Sequence, residues 1–105
     1  MKEFLKIYKQ RGLLKEERIG FDQVVKHIER AKKDIEVAEA NLAIDAEASY
    51  NYAYLAMLRS GRALMFSFSY RPLDGEQHKT VVAFCEYALG EKFAELVRHF
   101  DRMRK

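Results

Sequence analysis

The chain has 105 residues and few that cross-link a fold or interrupt a helix: one cysteine, one proline and five glycines. A single cysteine cannot form an internal disulfide, and Cys85 lies in the apolar run VVAFCEYAL, which indicates a buried free thiol in a reducing compartment. The N-terminal sequence MKEFLKIYKQR lacks the continuous apolar segment of a signal peptide. Arg59 and Arg62 interrupt the longest apolar stretch. We therefore predict a soluble, cytoplasmic protein that has no contact with a membrane.

Several catalytic motifs are also missing. There is no glycine-rich phosphate loop, HExxH, CxxC or GxSxG, so nucleotide hydrolysis, zinc proteolysis and serine hydrolysis have no motif support. His27, His78 and His99 each lack a second ligand at helical spacing, and we predict no metal site and no cofactor. The charge balance, 19 Lys and Arg against 16 Asp and Glu, permits a polyanionic partner without requiring one.

The distribution of apolar residues indicates helices. Period-2 alternation bounded by turn residues is absent, whereas long segments carry apolar residues three and four positions apart. The length fits one domain with a single core, residues 1–105. We predict an all-α fold, an antiparallel up-and-down four-helix bundle with a short extra N-terminal helix from Lys2 to Gln10.

The two long helices of this bundle differ in character. One is predicted from Phe21, because apolar residues then recur in steps of three and four at Phe21, Val24, Ile28, Ala31, Ile35, Ala38 and Leu42. Its other faces, which include Asp34, are expected to be solvated. The second, from about Ala46 to Ser69, is apolar all round and should be buried all round. Because so short a chain cannot cover every side of it, we expect a homodimer that buries its tyrosine-rich side.

Two shorter helices are predicted to follow. Asp74 with Gln77 three residues later has the form of a capping box, so the third bundle helix is expected to start near Gly75 with Asp74 as its N-cap. Gly90 is the expected C-cap residue, and the fourth helix is predicted from Glu91.

Three residues within the second long helix are unusual for a buried helix. Gly61 costs about 1 kcal/mol relative to alanine in a helix interior, which either reflects the close approach of a neighbouring backbone or is tolerated without a role. Arg59 and Arg62 lie three apart and need acceptors, which are carboxylates of the same protein or phosphates of a ligand. These two arginines and Lys79 are the candidate nucleotide- or RNA-binding residues.

The run YNYAYLAMLRSGRALMFSFSYRP, followed by HKTVVAF, resembles the core of the HEPN domain. This is a small helical family found in prokaryotic toxin–antitoxin modules and beside minimal nucleotidyltransferases. The matching residues are Ala53, Tyr54 and Ala56, then Arg62-Ala63-Leu64, Pro72, His78-Lys79 and Val81. The resemblance covers roughly Val25 to Phe84 and implies an antiparallel four-helix bundle that commonly dimerises.

Active HEPN ribonucleases carry an arginine followed, after four to six residues, by a histidine, and Arg71 with His78 meets that count. In metal-independent RNA cleavage a histidine can accept the proton of the 2′-hydroxyl, and an arginine can stabilise the charge that develops on the phosphorane. Two features depart from the family: Pro72 follows the arginine where a polar residue is usual, and the pair precedes the third bundle helix whereas the family's motif usually lies later.

These features support three hypotheses. The first is a HEPN-like partner of a minimal nucleotidyltransferase, in a toxin–antitoxin or nucleotide- or RNA-linked module, with little or no catalysis of its own. The second is a metal-independent HEPN endoribonuclease that uses Arg71 and His78. The third is a purely structural or interaction bundle.

Overall fold

The computed structural model describes residues 2–73 and 77–104. Five helices and two short strands lie in these ranges, together with a single 3-10 turn at Glu91–Phe93. In chain order they are α1 (Lys2–Gln10), β1 (Leu14–Glu16), α2 (Phe21–Asn41), α3 (Ala46–Ser67), β2 (Tyr70–Pro72), α4 (Gln77–Leu89) and α5 (Ala94–Met103). The prediction of a mainly helical chain is confirmed, and the bounds of α1 are those expected.

The small sheet is the element that the sequence pattern did not predict. Strands β1 and β2 pair antiparallel, with Leu14 opposite Pro72 and Glu16 opposite Tyr70. Each strand has three residues, which is too short for period-2 alternation to be recognised. Helix α3 ends two residues before the predicted Ser69, which adopts a positive φ of 67° and turns the chain into β2.

Local capping explains two helix boundaries. Asp45 is the N-cap of α3, and its Oδ1 accepts a hydrogen bond of 3.1 Å from the backbone N–H of Ala48. Gly90 follows α4 with a φ of 73°, as expected of a C-cap glycine. The predicted N-cap Asp74 and helix start at Gly75 lie outside the described residues.

The core is an aromatic and aliphatic cluster centred on Phe84 of α4. Phe84 and Val81 are fully buried, as is Met65 of α3. The rings of Phe4, Phe68 and Tyr70 lie close to the Phe84 ring, with centroid distances of 6.1, 5.6 and 6.2 Å. Helix α1 and the sheet therefore cover this end of the core. We call these residues the Phe84 cluster.

The closed four-helix bundle is not confirmed by the packing of the helices. Helix α3 packs against α2, α4 and α5, and α4 packs against α5, whereas within the described ranges the extensive contacts of α2 are with α3. The small residues of the predicted α2 stripe are buried, Ala31 being 3% exposed. Its large residues are not, since Phe21 is 79% exposed, Ile35 50% and Leu42 69%. Small side chains let α2 and α3 approach closely and leave the bulky apolar side of α2 uncovered.

The expectation that Asp34 is solvated is wrong. Its side chain is completely buried between α2 and α3, where it accepts a hydrogen bond from Nη1 of Arg59, and Nε of Arg30 lies 3.7 Å from its Oδ1. The sequence pattern did not reveal this, because the partner that permits burial lies 25 residues away on another helix.

Gly61 has a packing role, although not the one expected. A Cβ at this position would overlap Cγ1 of Val81 and lie 3.3 Å from Sγ of Cys85, both side chains of α4. The close neighbours of Gly61 are therefore side chains rather than a backbone. The alternative, a glycine tolerated without a role, is wrong.

Candidate functional site

Arg71 projects from β2 and is held by one ion pair and one ring. Its Nε lies 3.3 Å from Oε2 of Glu17, and its guanidinium carbon lies 5.1 Å from the centre of the Phe66 ring. The cation–π contact attracts the guanidinium to the face of the ring. Because Glu17 is bound through Nε, the two terminal nitrogens of Arg71 can take further acceptors.

His78 is enclosed in the first turn of α4 and is only 8% exposed. Its Nδ1 lies 2.7 Å from the hydroxyl of Tyr54, and its Nε2 lies 3.4 Å from Oδ1 of Asp101. Burial raises the pKa of Tyr54. The tautomer of His78 sets which of the two groups donates in this hydrogen bond. The buried Nε2 makes no hydrogen bond with the described residues. The Phe100 ring covers the imidazole, with centroids 5.3 Å apart.

His78 does not line the cavity beside Arg71. The cavity beside Arg71 has a volume of about 230 Å³ and is lined by Gln23, His27, Arg62, Phe66, Arg71, Pro72 and Gln77. We call it the arginine cleft. His78 is directed instead toward Tyr54 on α3 and Asp101 on α5.

The three candidate nucleotide- or RNA-binding residues lie in three different environments. Arg59 is paired with the buried Asp34, and Lys79 is exposed on α4. Arg62 is partly buried, and its Nη2 donates a hydrogen bond of 2.6 Å to Oε1 of Gln77. Burial, together with the nearby charge of Arg59, lowers the pKa of Arg62. Of the three, Arg62 alone lines the arginine cleft.

His27 completes the arginine cleft from α2. Its Nδ1 donates to the backbone carbonyl of Gln23 at 3.1 Å, and its ring packs edge-on against Phe66, with centroids 4.8 Å apart. In the sequence His27 is only an isolated histidine. The local sequence does not predict that His27 lies near Arg71. The two residues are brought together by the packing of α2 against α3 and of β2 against α3.

A second cavity system runs between α2 and α5, with α3 as its floor. It consists of two adjoining cavities of about 410 and 370 Å³, both lined by Met57 and Leu96. Helix α2 contributes Ile28, Ile35 and Leu42 to the two walls. We call it the apolar groove. In a closed four-helix bundle, α2 and α5 would pack against each other on this side.

Within residues 2–73 and 77–104, no group of three His, Cys, Asp or Glu side chains is placed to hold a metal ion. None of the helices described is both long and apolar enough to cross a membrane.

Comparison of the chain with protein-family models, curated proteins and solved structures finds no match. The resemblance to HEPN domains therefore stays a prediction, and any proposal about function depends on the geometry described above.

Proposed function

We propose that the protein is a HEPN-like interaction module without catalysis of its own, which acts in the cytoplasm as a homodimeric partner of a minimal nucleotidyltransferase in a toxin–antitoxin or nucleotide- or RNA-linked module. The observation that carries this proposal is the apolar groove. Large apolar side chains of α2 stand exposed beside an open channel, an arrangement that marks a surface for association.

The occupant that we propose for this groove is a second copy of the chain. Helix α2 has 21 residues, and the groove extends from Val24 to Leu42 along the same helix. The α2 helix of a second copy therefore matches the groove in length. Its apolar stripe would supply the side chains that fill the groove of the first copy. A helix this long spans about 30 Å and is about 10 Å wide. If each copy laid α2 in the other's groove, the interface would bury on the order of 1,200 Å², which suits a stable dimer.

This dimer differs from the one expected from sequence. The tyrosine-rich side of α3 was expected to form the interface, but Tyr54 points to His78, and the Tyr50 hydroxyl donates to the backbone carbonyl of Met103 at 2.9 Å. Tyr50 is 48% exposed, but α2 carries more exposed bulky residues than α3 does, namely Phe21, Val25, Ile28 and Ile35. We therefore place the self-association surface on α2 and the apolar groove.

The environment of His78 supports the absence of catalysis. A general base must reach the proton that it removes, whereas His78 is 8% exposed and engages Tyr54 and Asp101. The ribonuclease hypothesis thus rests on the count of residues between Arg71 and His78 alone. A purely structural bundle remains the third hypothesis and predicts neither a nucleotidyltransferase partner nor RNA cleavage.

Light scattering tests the dimer directly. We expect the native protein to be dimeric at micromolar concentration and Ile35→Lys to be monomeric, because a charge would then lie in the interface. Ile7→Lys is the matched control, since Ile7 is similarly exposed (46%) but lies on α1, outside the groove. A native monomer would overturn the proposed dimer, as would a loss of dimer in Ile7→Lys equal to that in Ile35→Lys.

Two further measurements separate the three hypotheses. A nucleotidyltransferase gene beside the gene for this protein, and co-purification of the two products, would support the first. Incubation of the protein with total RNA in EDTA should leave the RNA intact. Cleavage that is lost in both His78→Ala and Arg71→Ala would establish the ribonuclease instead.

A further inference from the structure

The arginine cleft brings together two guanidinium groups that no carboxylate of the described residues fully neutralises. Arg59 is satisfied by the buried Asp34, but the described hydrogen-bond partner of Arg62 is the neutral amide of Gln77. A guanidinium has five N–H donors, so one amide oxygen leaves donors for another acceptor. A partly buried cation beside a neutral amide favours an anionic ligand.

Arg71 supplies the second cation. Glu17 is bound at Nε, on one edge of the guanidinium, and the pair is partly exposed, with 42% of the Arg71 side chain accessible. The terminal nitrogens remain for a ligand, and the guanidinium lies over the Phe66 ring. Such a planar pair of donors matches two oxygens of a phosphate.

The walls of the cleft limit the kind of anion. Phe66 and Pro72 are apolar and buried, and they strengthen the charge interactions by excluding water. Gln23, Gln77 and His27 add polar groups on the remaining sides. The volume of about 230 Å³ is below the roughly 300 Å³ at which pockets for drug-sized ligands begin. The cleft therefore suits a compact charged group rather than a whole nucleotide.

We propose that the arginine cleft binds a phosphate monoester, with Arg62 and Arg71 as the charged ligands of its oxygens. A monoester carries a charge of about −1.5 to −2 at neutral pH and three acceptor oxygens, which two guanidinium groups can match. A phosphodiester carries one charge, which leaves one of the two guanidinium groups without a matching negative charge. The monoester belongs to a small nucleotide or to the 5′ end of an RNA.

This site is separate from the apolar groove, so its test does not depend on dimerisation. Binding is measured by isothermal titration calorimetry with inorganic phosphate, AMP, adenosine, and a short RNA carrying either a 5′-phosphate or a 5′-hydroxyl. We expect the phosphate-bearing ligands to bind, adenosine not to bind, and the 5′-hydroxyl RNA to bind at least about tenfold more weakly than the 5′-phosphate RNA. AMP that binds as tightly as the phosphorylated RNA identifies a small nucleotide as the source of the group, and tighter binding of the RNA identifies an RNA end.

Four variants test the residues. Arg62→Gln should weaken binding of AMP about tenfold to a hundredfold, because a charge-assisted hydrogen bond is lost. Arg71→Gln should weaken it by a smaller factor, since Glu17 already neutralises part of that charge. Glu17→Gln should tighten it severalfold, a gain that a damaged fold cannot produce. Arg98→Gln, which removes an exposed arginine of α5 outside the cleft, is the control and should bind AMP as the native protein does.

Three results would overturn the proposal. The first is that the native protein binds neither inorganic phosphate nor AMP at millimolar ligand. The second is that Arg62→Gln binds AMP with the same affinity as Arg98→Gln. The third is that RNA binds with the same affinity with and without the 5′-phosphate. Circular dichroism of each variant confirms that a loss of binding is not a loss of structure.

Discussion

The Phe84 cluster and the apolar groove are both rich in large apolar side chains and differ in what covers them. Around Phe84, α1 and the two-stranded sheet close the end of the core, and the central ring is completely buried. Along the groove, Ile35 and Leu42 face a channel that α5 does not close. Apolar residues at helical spacing therefore mark surfaces that must be covered, and the pattern does not say whether the same chain covers them.

The largest expected effect is the difference in stability between a truncation in the Phe84 cluster and one in the apolar groove. Phe84→Ala should lower the free energy of unfolding by about 3–5 kcal/mol, because it leaves a cavity in a fully packed core. Ile35→Ala should cost less than about 1 kcal/mol in the monomer, since half of the side chain is already exposed. Urea unfolding at low protein concentration measures both. Equal losses in the two variants would show that the groove is closed within one chain.

The buried ion pair between α2 and α3 gives the next largest effect. Arg59→Ala should cost about 3 kcal/mol, because it leaves the buried Asp34 carboxylate with only the more distant Arg30 among its described partners. The control is Arg30→Ala, which removes a side chain that is 58% exposed and should cost less than about 1 kcal/mol. The two variants are compared by urea unfolding at neutral pH. Similar costs would mean that Asp34 is held equally by both arginines.

Burial of Cys85 between the cluster and the groove predicts a pH dependence of stability. Loss of hydration raises the pKa of this thiol from 9.0 to about 11. The unfolded chain therefore loses the thiol proton near pH 9 while the folded protein keeps it. The stabilisation is complete below pH 9 and is lost as the pH rises to 11, a change of about 2–3 kcal/mol. Unfolding as a function of pH should show this slope in the native protein and a shallower one in Cys85→Ala; identical slopes would contradict it.

The parts of the fold that sequence predicted are those set by local signals. The period of apolar residues located α1, α2 and α3, and Gly90 located the end of α4. The sheet was not predicted for two reasons. Its strands lie far apart in sequence, with Glu16 opposite Tyr70. Each strand also has only three residues, too few for period-2 alternation to be recognised. The burial of Asp34 was missed because its partner is on another helix. The pattern also could not distinguish which residues of the α2 stripe would be buried, since it treats alanine and isoleucine alike.

The candidate site shows the same limit. The number of residues between Arg71 and His78 suggested a pair, but β2 and α4 direct the two side chains to different neighbours. Arg62 was expected to pair with a carboxylate or a phosphate, and its described partner is the amide of Gln77. Its placement next to Arg71 and His27 came only from the packing of three separate elements. Spacing along the chain predicts proximity within one helix and loses that power when the two residues belong to different elements.

The smallest effect concerns Gly61, which lies where the Phe84 cluster meets the apolar groove. Gly61→Ala gains about 1 kcal/mol from helix propensity, but the new methyl group overlaps Val81 and approaches Cys85. Overpacking of this kind costs about 1–3 kcal/mol, so the net loss in the free energy of unfolding should be about 1 kcal/mol. Adding Val81→Ala removes the overlap. In a double-mutant cycle, Gly61→Ala should then become neutral or stabilising. If it stays equally destabilising in the Val81→Ala background, contact with α4 is not the reason for glycine here, and the boundary between the closed and open sides of α3 must be set by another residue.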